Sequence, residues 1–397
     1  MSDSQRLYLD DPLRLAFEAE VVAHGRHGAK TGVVLDRTAF YAEAGGQMAD
    51  RGTLDQIPVC DVQLDADGRI VHLLDGELPP VGTAVRGRVD ERRRRLHMAL
   101  HTGQHILSRA LLDVAGAHTV SSRLGETGCT IDVRPGSVGP TERERIEQLA
   151  NEIIDADEPV RGFLPDPAEL STLPLRKPSK VDHDVRVVAI GGFDLVPCGG
   201  THCVRTAQVG LVSITGVERY KQGQRITFVS GERARRELSR DARALHELSR
   251  AMSCAPADLP AALDKLRREL SEAHEATAAA ERQLAEQVAP SLLRDANPPG
   301  VAIALFDGAS VSLLRAVGKR VTALDGAIAL LASRTDDGMH VVLARHRSSA
   351  FDCGRSLKRV ATACGGRGGG RADHAEGRLP PDVDWEALAR EMVGRTK

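Results

Sequence analysis

The stretch Leu96-His-Met-Ala-Leu-His101-Thr-Gly-Gln-His105-Ile-Leu-Ser-Arg-Ala110 has the spacing of a helix. Leu100, Ile106, Leu107 and Ala110 give it an apolar side, and only Gly103 opposes that reading. His101 and His105 stand four residues apart, so both imidazoles leave the same face, one turn from each other. Far downstream, Cys198-Gly-Gly-Thr-His202 places a thiol and an imidazole at the same spacing. Either pair alone is weak: HxxxH is common on helices, and CGGTH could be a tight turn around a buried thiol. Together they supply three imidazoles and one thiolate, a set suited to tetrahedral Zn2+, one ion per chain. His97 extends the helical pattern by another turn. Zinc needs no fifth protein ligand, so His97 is read as a surface residue or a support for a ligand.

The 397-residue chain is too long for a single core, and two to four domains are expected. A net charge of -2 means that any nucleic-acid contact must come from local basic patches. Aromatic residues make up only 3% of the chain, too few for base-stacking platforms to be the main recognition device. The seven cysteines are an odd, scattered set and do not resemble a disulfide framework. The N-terminal MSDSQRLYLDDPLRL is polar and has no signal-peptide core, and no apolar run is long enough to span a membrane. These features predict a reducing, cytoplasmic setting.

Outward from the histidine helix, the pattern predicts an α+β multidomain chain in four parts. Residues 1–89 show short apolar alternations broken by glycine turns, with Asp67-Gly68 as a hairpin signal, and read as a small β-barrel. Within it, Phe40-Tyr-Ala-Glu-Ala-Gly-Gly-Gln47 carries Gly45 and Gly46, which permit a close backbone approach or a left-handed turn; an ordinary barrel turn is the simpler reading. Arg92–Arg95 is either a solvated face or a phosphate contact. Residues 90–232 read as an α+β domain. It has paired strands at 119–124 and 129–133, a helix opened by a capping box at Thr141, a buried strand at 185–190 ahead of the cysteine loop, and a closing hairpin at 209–214 and 225–229. Zinc would clamp its two halves.

Residues 233–296 turn helical, with a heptad seam at Leu263, Leu266, Leu270, Ala273, Thr277, Ala280 and Leu284. An antiparallel helical hairpin is expected, as a spacer or for dimerisation. Residues 297–397 alternate strand and helix as a small α/β domain. Near its end, Gly365-Gly-Arg-Gly-Gly-Gly-Arg371 sets Arg367 and Arg371 beside glycine backbone, which suits phosphate; a flexible solvated loop is the alternative.

Taken together, these motifs resemble the editing part of alanyl-tRNA synthetases, and most closely the long free-standing alanyl-tRNA editing proteins (the AlaX group). His101-Thr-Gly-Gln-His105 with Cys198-Gly-Gly-Thr-His202 is similar to the family's zinc set. Phe40–Gln47 is similar to its glycine-rich barrel motif. Gly365–Arg371 is similar to the loop of its C-terminal domain, the type also attached to DHH phosphoesterases. The chain departs from the family at Ala42, Ala44 and Arg123, where proline, glycine and histidine are common. The resemblance implies a translation-factor-like barrel, a zinc editing domain, a helical hairpin and a DHHA1-like domain.

It also implies hydrolysis without synthesis, since nothing ahead of the barrel could bind ATP and alanine. A pocket for alanine rejects glycine or serine by only about 10–200-fold, so a second site that hydrolyses the wrong ester restores accuracy. The implied function is trans-editing of seryl- or glycyl-tRNA(Ala), with tRNA as partner, Gly45, Gly46, Gln47, Arg367 and Arg371 as substrate contacts, and a homodimer formed through the C-terminal region. Gln104 and Thr201, beside the ligands, are candidate catalytic groups. The main alternative is a non-catalytic tRNA-binding protein whose zinc is structural. A phosphoesterase is disfavoured, because the carboxylate-rich two-metal set is absent.

Overall fold

Alternation builds the first layer. In Ala84–Val89, residues Val85, Gly87 and Val89 are buried and their neighbours are exposed, the two-residue period of a strand with one wet face. In a computed structural model, which describes residues 4–135, 137–179 and 183–394, six strands close a barrel. Their spatial order is Ala16–His27, Lys30–Leu35, Ile70–Leu74, Ile57–Leu64, Gly52–Leu54 and Ala84–Val89. Val21, Val33, Leu35, Phe40, Leu54, Val62 and Ile70 fill it. Asp67-Gly68 lies in the turn where Leu64 pairs with Ile70. The chain divides into two units, Met1–Glu247 and Leu248–Lys397.

The histidine helix, Glu91–Ala115, follows the barrel directly. Asp90 caps it by accepting from the Arg93 N–H at 3.0 Å, and Gly116 ends it in a left-handed conformation. Its middle, from His97 to Ser108, is wholly buried. Gly103, which argued against a helix, is required by packing. A Cβ there would lie 2.7 Å from Ser230 Oγ and 3.1 Å from Val212 Cγ2, so only glycine lets the helix approach that sheet.

Around this helix stand an antiparallel sheet ordered Val212–Tyr220, Gly223–Ser230, Cys129–Arg134 and His118–Leu124, and a helix, Pro140–Asp155. Leu100, Ile106, Leu107, Ile131, Ile146 and Phe228 belong to their common core. The Pro140–Asp155 helix is capped by Gly139, which offers no side chain, so the capping box expected at Thr141 does not form. The closing hairpin begins at Val212, because Thr206–Val209 is a 3-10 turn. A three-stranded sheet, Val160–Phe163, Val187–Ile190 and Asp194–Pro197, carries the cysteine loop at its end.

The arginine run divides by period. Arg94 is buried, with its guanidinium on Asp50, Ala39 O and Pro12 O, and it ties barrel to helix. Arg93 donates to Ala49 O at 2.8 Å. Arg92 and Arg95 are exposed and pair with Glu232 and Glu91. The run as a whole is therefore neither a solvated face nor a phosphate grip.

In the second unit, helix Leu259–Arg294 packs Ala285, Val288, Ala289 and Leu292 on helix Val311–Val321, through Leu314, Val317 and Val321. This face is offset from the expected seam, whose Leu263, Leu266 and Leu270 are 49–56% exposed. A mixed sheet follows, ordered Val301–Asp307, Ile328–Thr335, Gly338–Arg345, His374–Leu379 and Arg367–Gly370, with its first pair parallel and the rest antiparallel. The glycine-rich stretch is thus an edge strand rather than a loop. Its register on the neighbour, Arg367 to Arg378 through Gly370 to Ala375, uses part of the backbone expected to be free. A final helix, Trp385–Gly394, seats Trp385, whose Nε1 donates to Ala304 O at 3.0 Å. No helix among the described residues is long and apolar enough to cross a membrane.

Candidate metal centre

Two remote stretches of sequence converge on one point in the first unit. His101 and His105 project from one face of the histidine helix, and Cys198 and His202 sit on the loop after Asp194–Pro197. The Cys198 Sγ lies 3.4 Å from His101 Nε2 and 3.4 Å from His202 Nε2. The imidazole centroids are 4.3 to 4.9 Å apart. One donor atom from each of the four residues falls within 4.8 Å of all the others. In a tetrahedral site with metal–N of about 2.0–2.1 Å and metal–S of about 2.3 Å, N and S stand about 3.5 Å apart. Donor type, number and spacing fit one such ion. The imidazoles are 3–4% exposed, whereas Cys198 is partly exposed and forms the open edge.

Two of the three rings are held from behind through the other nitrogen. The Gln47 carboxamide decides His101. Its Oε1 accepts from the Thr201 N–H at 3.1 Å, and its Nε2 donates to Thr201 Oγ1 at 2.7 Å, which fixes which end is oxygen. That oxygen also lies 2.8 Å from His101 Nδ1, so Nδ1 carries the proton and the Nε2 lone pair faces Cys198. His202 Nδ1 is 3.2 Å from Thr102 Oγ1, which also accepts from the Cys203 N–H at 3.0 Å. His105 Nδ1 has no hydrogen-bond partner and stands 4.0 Å from Asp194 Oδ2, a carboxylate whose other oxygen is held by Arg176 at 2.8 Å.

Arg186 Nη1 donates to both Cys198 O and Gly200 O at 3.0 Å and shapes the loop. At Gly200 a Cβ would fall 2.2 Å from the His101 ring, so the second glycine of CGGTH is dictated by that imidazole.

Burial sets the protonation. It holds His101 down to about 3, and His105 and His202 well below the ordinary imidazole value, so all three are neutral at pH 7 with lone pairs free to ligate. Burial also pushes the Cys198 thiol up, opposed by the Gly200 N–H and by Arg186.

The other expected site residues are placed as follows. Gln47, expected against substrate, is fully buried, and its amide is spent on His101 and Thr201. Gly45 and Gly46 are exposed in a turn with positive φ, next to Gln47. Thr201 is buried under Gln47. Gln104 donates to Ser108 Oγ at 2.7 Å, one turn on. Arg367 and Arg371 are exposed and belong to the second unit.

His97 is 1% exposed, and neither of its ring nitrogens has a partner; it is neither a surface residue nor a hydrogen-bonded support. Burial and the neighbouring Arg93 lower its pKa to about 4. The sequence reasoning missed Thr102, Arg176, Arg186 and Asp194. Only Asp194, a lone carboxylate between Phe193 and Leu195, carried a visible signal.

Three family models match the chain: tRNA synthetases class II (A) over residues 11–93, the threonyl and alanyl tRNA synthetase second additional domain over 185–227, and the DHHA1 domain over 299–392. The alanine–tRNA ligase of Methanopyrus kandleri is 30% identical across 98% of this chain. Across nearly its whole length the chain is thus similar to alanine–tRNA ligases, and it carries a threonyl and alanyl tRNA synthetase second additional domain and a DHHA1 domain. The ligase of Archaeoglobus fulgidus is 31% identical across 97% of the chain, and that of Geobacillus kaustophilus 32% across 94%. The chain spans 43–44% of the length of these relatives. Among solved structures, the C-Ala domain from Aquifex aeolicus alanyl-tRNA synthetase matches 24% of this chain and 87% of its own, at 20% identity and a TM-score of 0.22. The second-additional-domain match contains Cys198 and His202, whereas His101 and His105 lie between the first two matched regions. The metal centre thus joins an element inside a family model to one outside it.

Proposed function

We propose that the protein is a zinc-dependent hydrolase that deacylates tRNA(Ala) mischarged with serine or glycine, with the ion held by His101, His105, Cys198 and His202. The observation that carries this reading is the convergence of four donors within 4.8 Å in a chain related to alanine–tRNA ligases. Zinc, when bound, polarises an ester carbonyl or lowers the pKa of a water. The chain's own groups do the rest. Gln47 and Thr102 orient His101 and His202, the Asp194 carboxylate stands 4.0 Å from His105 Nδ1, and Arg186 clasps the cysteine loop through Cys198 O and Gly200 O. Gly45, with open space beside it, and the neighbouring Gly46 in the exposed turn contact the tRNA, and Arg367 and Arg371 on the second unit contact tRNA phosphate. The chain acts as four parts, 1–89, 90–232, 233–296 and 297–397. Two copies pair through the exposed Leu263, Leu266 and Leu270 stripe.

One observation favours a second reading. Three imidazoles and a thiolate fill all four tetrahedral positions, as structural zinc sites do. A tRNA-binding protein with structural zinc would show tight, salt-dependent tRNA binding and no deacylation. Purified protein is to be assayed on seryl-, glycyl- and alanyl-tRNA(Ala), with and without a chelator. Loss of serine and glycine with alanine spared, abolished by the chelator, is the expected result. Equal loss of all three would refute editing, and binding without hydrolysis would favour the second reading.

A further inference from the structure

His97 is a buried imidazole that the centre does not use. It lies four residues, about 6 Å, from His101 along the helix. Residues 93, 97 and 101 share one stripe, and the segment Gln47–Ala49 is pinned to both ends of it. His101 Nδ1 meets Gln47 Oε1 at 2.8 Å, and Arg93 Nε donates to Ala49 O at 2.8 Å. That segment therefore runs along the stripe that carries His97. The hairpin at 124–129 stands beside it, since Leu124 N donates to Gly46 O and Arg233 donates to Gly125 O and Cys129 Sγ. Inside this slot both ring nitrogens of His97 are shielded from solvent and make no hydrogen bond. The exposed Ala44–Gly46 turn joins that hairpin through Gly46 O.

Leucine would fill such a slot without leaving polar atoms unpaired, so an imidazole there needs a partner that arrives from outside. The surrounding charge narrows that partner's chemistry. Arg51, Arg93 and Arg233 face His97 against one carboxylate, Glu126, which disfavours an ammonium group. Those guanidiniums are already engaged: Arg51 on Cys60 O and Glu126, Arg93 on Ala49 O and Glu126, and Arg233 on the hairpin. They are not a free clamp for phosphate. A neutral imidazole offers one donor and one acceptor, which matches a hydroxyl.

We propose that His97 reads an alcohol hydroxyl of the ester substrate: either the side-chain hydroxyl of serine or the ribose hydroxyl beside the ester. This rests on the hydrolase reading above. The test compares the wild type with His97→Leu and His97→Gln on seryl- and glycyl-tRNA(Ala), each with a normal or a 2′-deoxy terminal adenosine. Zinc content and Tm are measured alongside.

If the serine hydroxyl is read, His97→Leu loses about tenfold to a hundredfold in kcat/KM on the seryl ester and keeps the glycyl ester. If the ribose hydroxyl is read, both esters fall, and the wild type falls by a similar factor on the 2′-deoxy substrates. In either case zinc content holds and Tm does not fall, and His97→Gln, which keeps a donor and an acceptor, regains part of the loss. Unchanged rates in His97→Leu overturn the proposal. So does an equal loss on both esters in a wild type indifferent to the 2′-hydroxyl. Should His97→Leu fail to fold, His97→Gln and the wild-type comparison of the four substrates decide: a wild type that hydrolyses all four equally overturns it. A wild type with no deacylation at all rejects the hydrolase reading instead.

Discussion

Replacing Gln47 by leucine tests how the barrel motif serves the metal centre. The side chain is fully buried and makes three bonds: its Oε1 to His101 Nδ1 and Thr201 N, and its Nε2 to Thr201 Oγ1. Leucine keeps most of the volume and leaves three buried polar groups unpaired. At about 1–3 kcal/mol each, and without full additivity, the metal-free protein should lose roughly 3–5 kcal/mol. The His101 ring also loses the acceptor that fixes its tautomer, and such supports are worth about 10–100-fold in metal affinity. Urea unfolding of the metal-free protein reads the first quantity, and competition for zinc with a chromophoric chelator reads the second. Were Gln47 a substrate contact, Gln47→Leu would bind zinc within twofold of the parent and unfold at the same urea concentration. That result would refute the assignment.

Arg94→Met should cost about 3–5 kcal/mol, because it strands the Asp50 carboxylate inside the barrel–helix junction; thermal unfolding checks this, and a change under 1 kcal/mol contradicts it. Acid should destabilise the metal-free protein well before carboxylates titrate. His72 and His97 are held down to about 4 in the fold by burial, so below pH 6.5 the unfolded chain binds more protons than the folded one. Stability is complete above that pH and is lost as pH falls toward 4, by about 2 kcal/mol for each of the two by pH 5. Denaturant titrations at pH 7, 6 and 5 measure it, and a flat profile would contradict buried neutral imidazoles. Gly200→Ala should lower zinc affinity by at least about tenfold, since its Cβ would strike the His101 ring; chelator competition reads the shift, and parental affinity would show that the loop yields.

Local pattern made part of this protein legible. The i, i+4 histidines and the Cys198–His202 pair are legible as candidate ligands because such spacing on a helix or tight loop is a local property. The Asp67-Gly68 turn is legible for the same reason. What the sequence hid depends on what a side chain meets across the fold. Gln47 looks like a polar residue on a glycine turn, and only the approach of Thr201 and His101, 154 and 54 residues away, makes it a support. Arg94 is indistinguishable from Arg92 until the helix is seated against Asp50. The edge strand Arg367–Gly370 is built almost wholly of glycine, a composition that signals a loop, and tertiary pairing with His374–Leu379 overrides it. The leucine seam of helix Leu259–Arg294 is legible as a stripe but does not tell what covers it, because the face that packs within the second unit is built on Ala285 and Ala289.

The most direct test of the account is the metal shell itself. Elemental analysis of the purified protein, with X-ray absorption at the zinc edge, should give one zinc per chain with three nitrogen neighbours and one sulfur neighbour. Cys198→Ala should remove the sulfur, and His101→Ala should lower the bound zinc. A protein that carries no zinc after loading, or one whose sulfur signal survives Cys198→Ala, would contradict the convergence of His101, His105, Cys198 and His202 on a single ion.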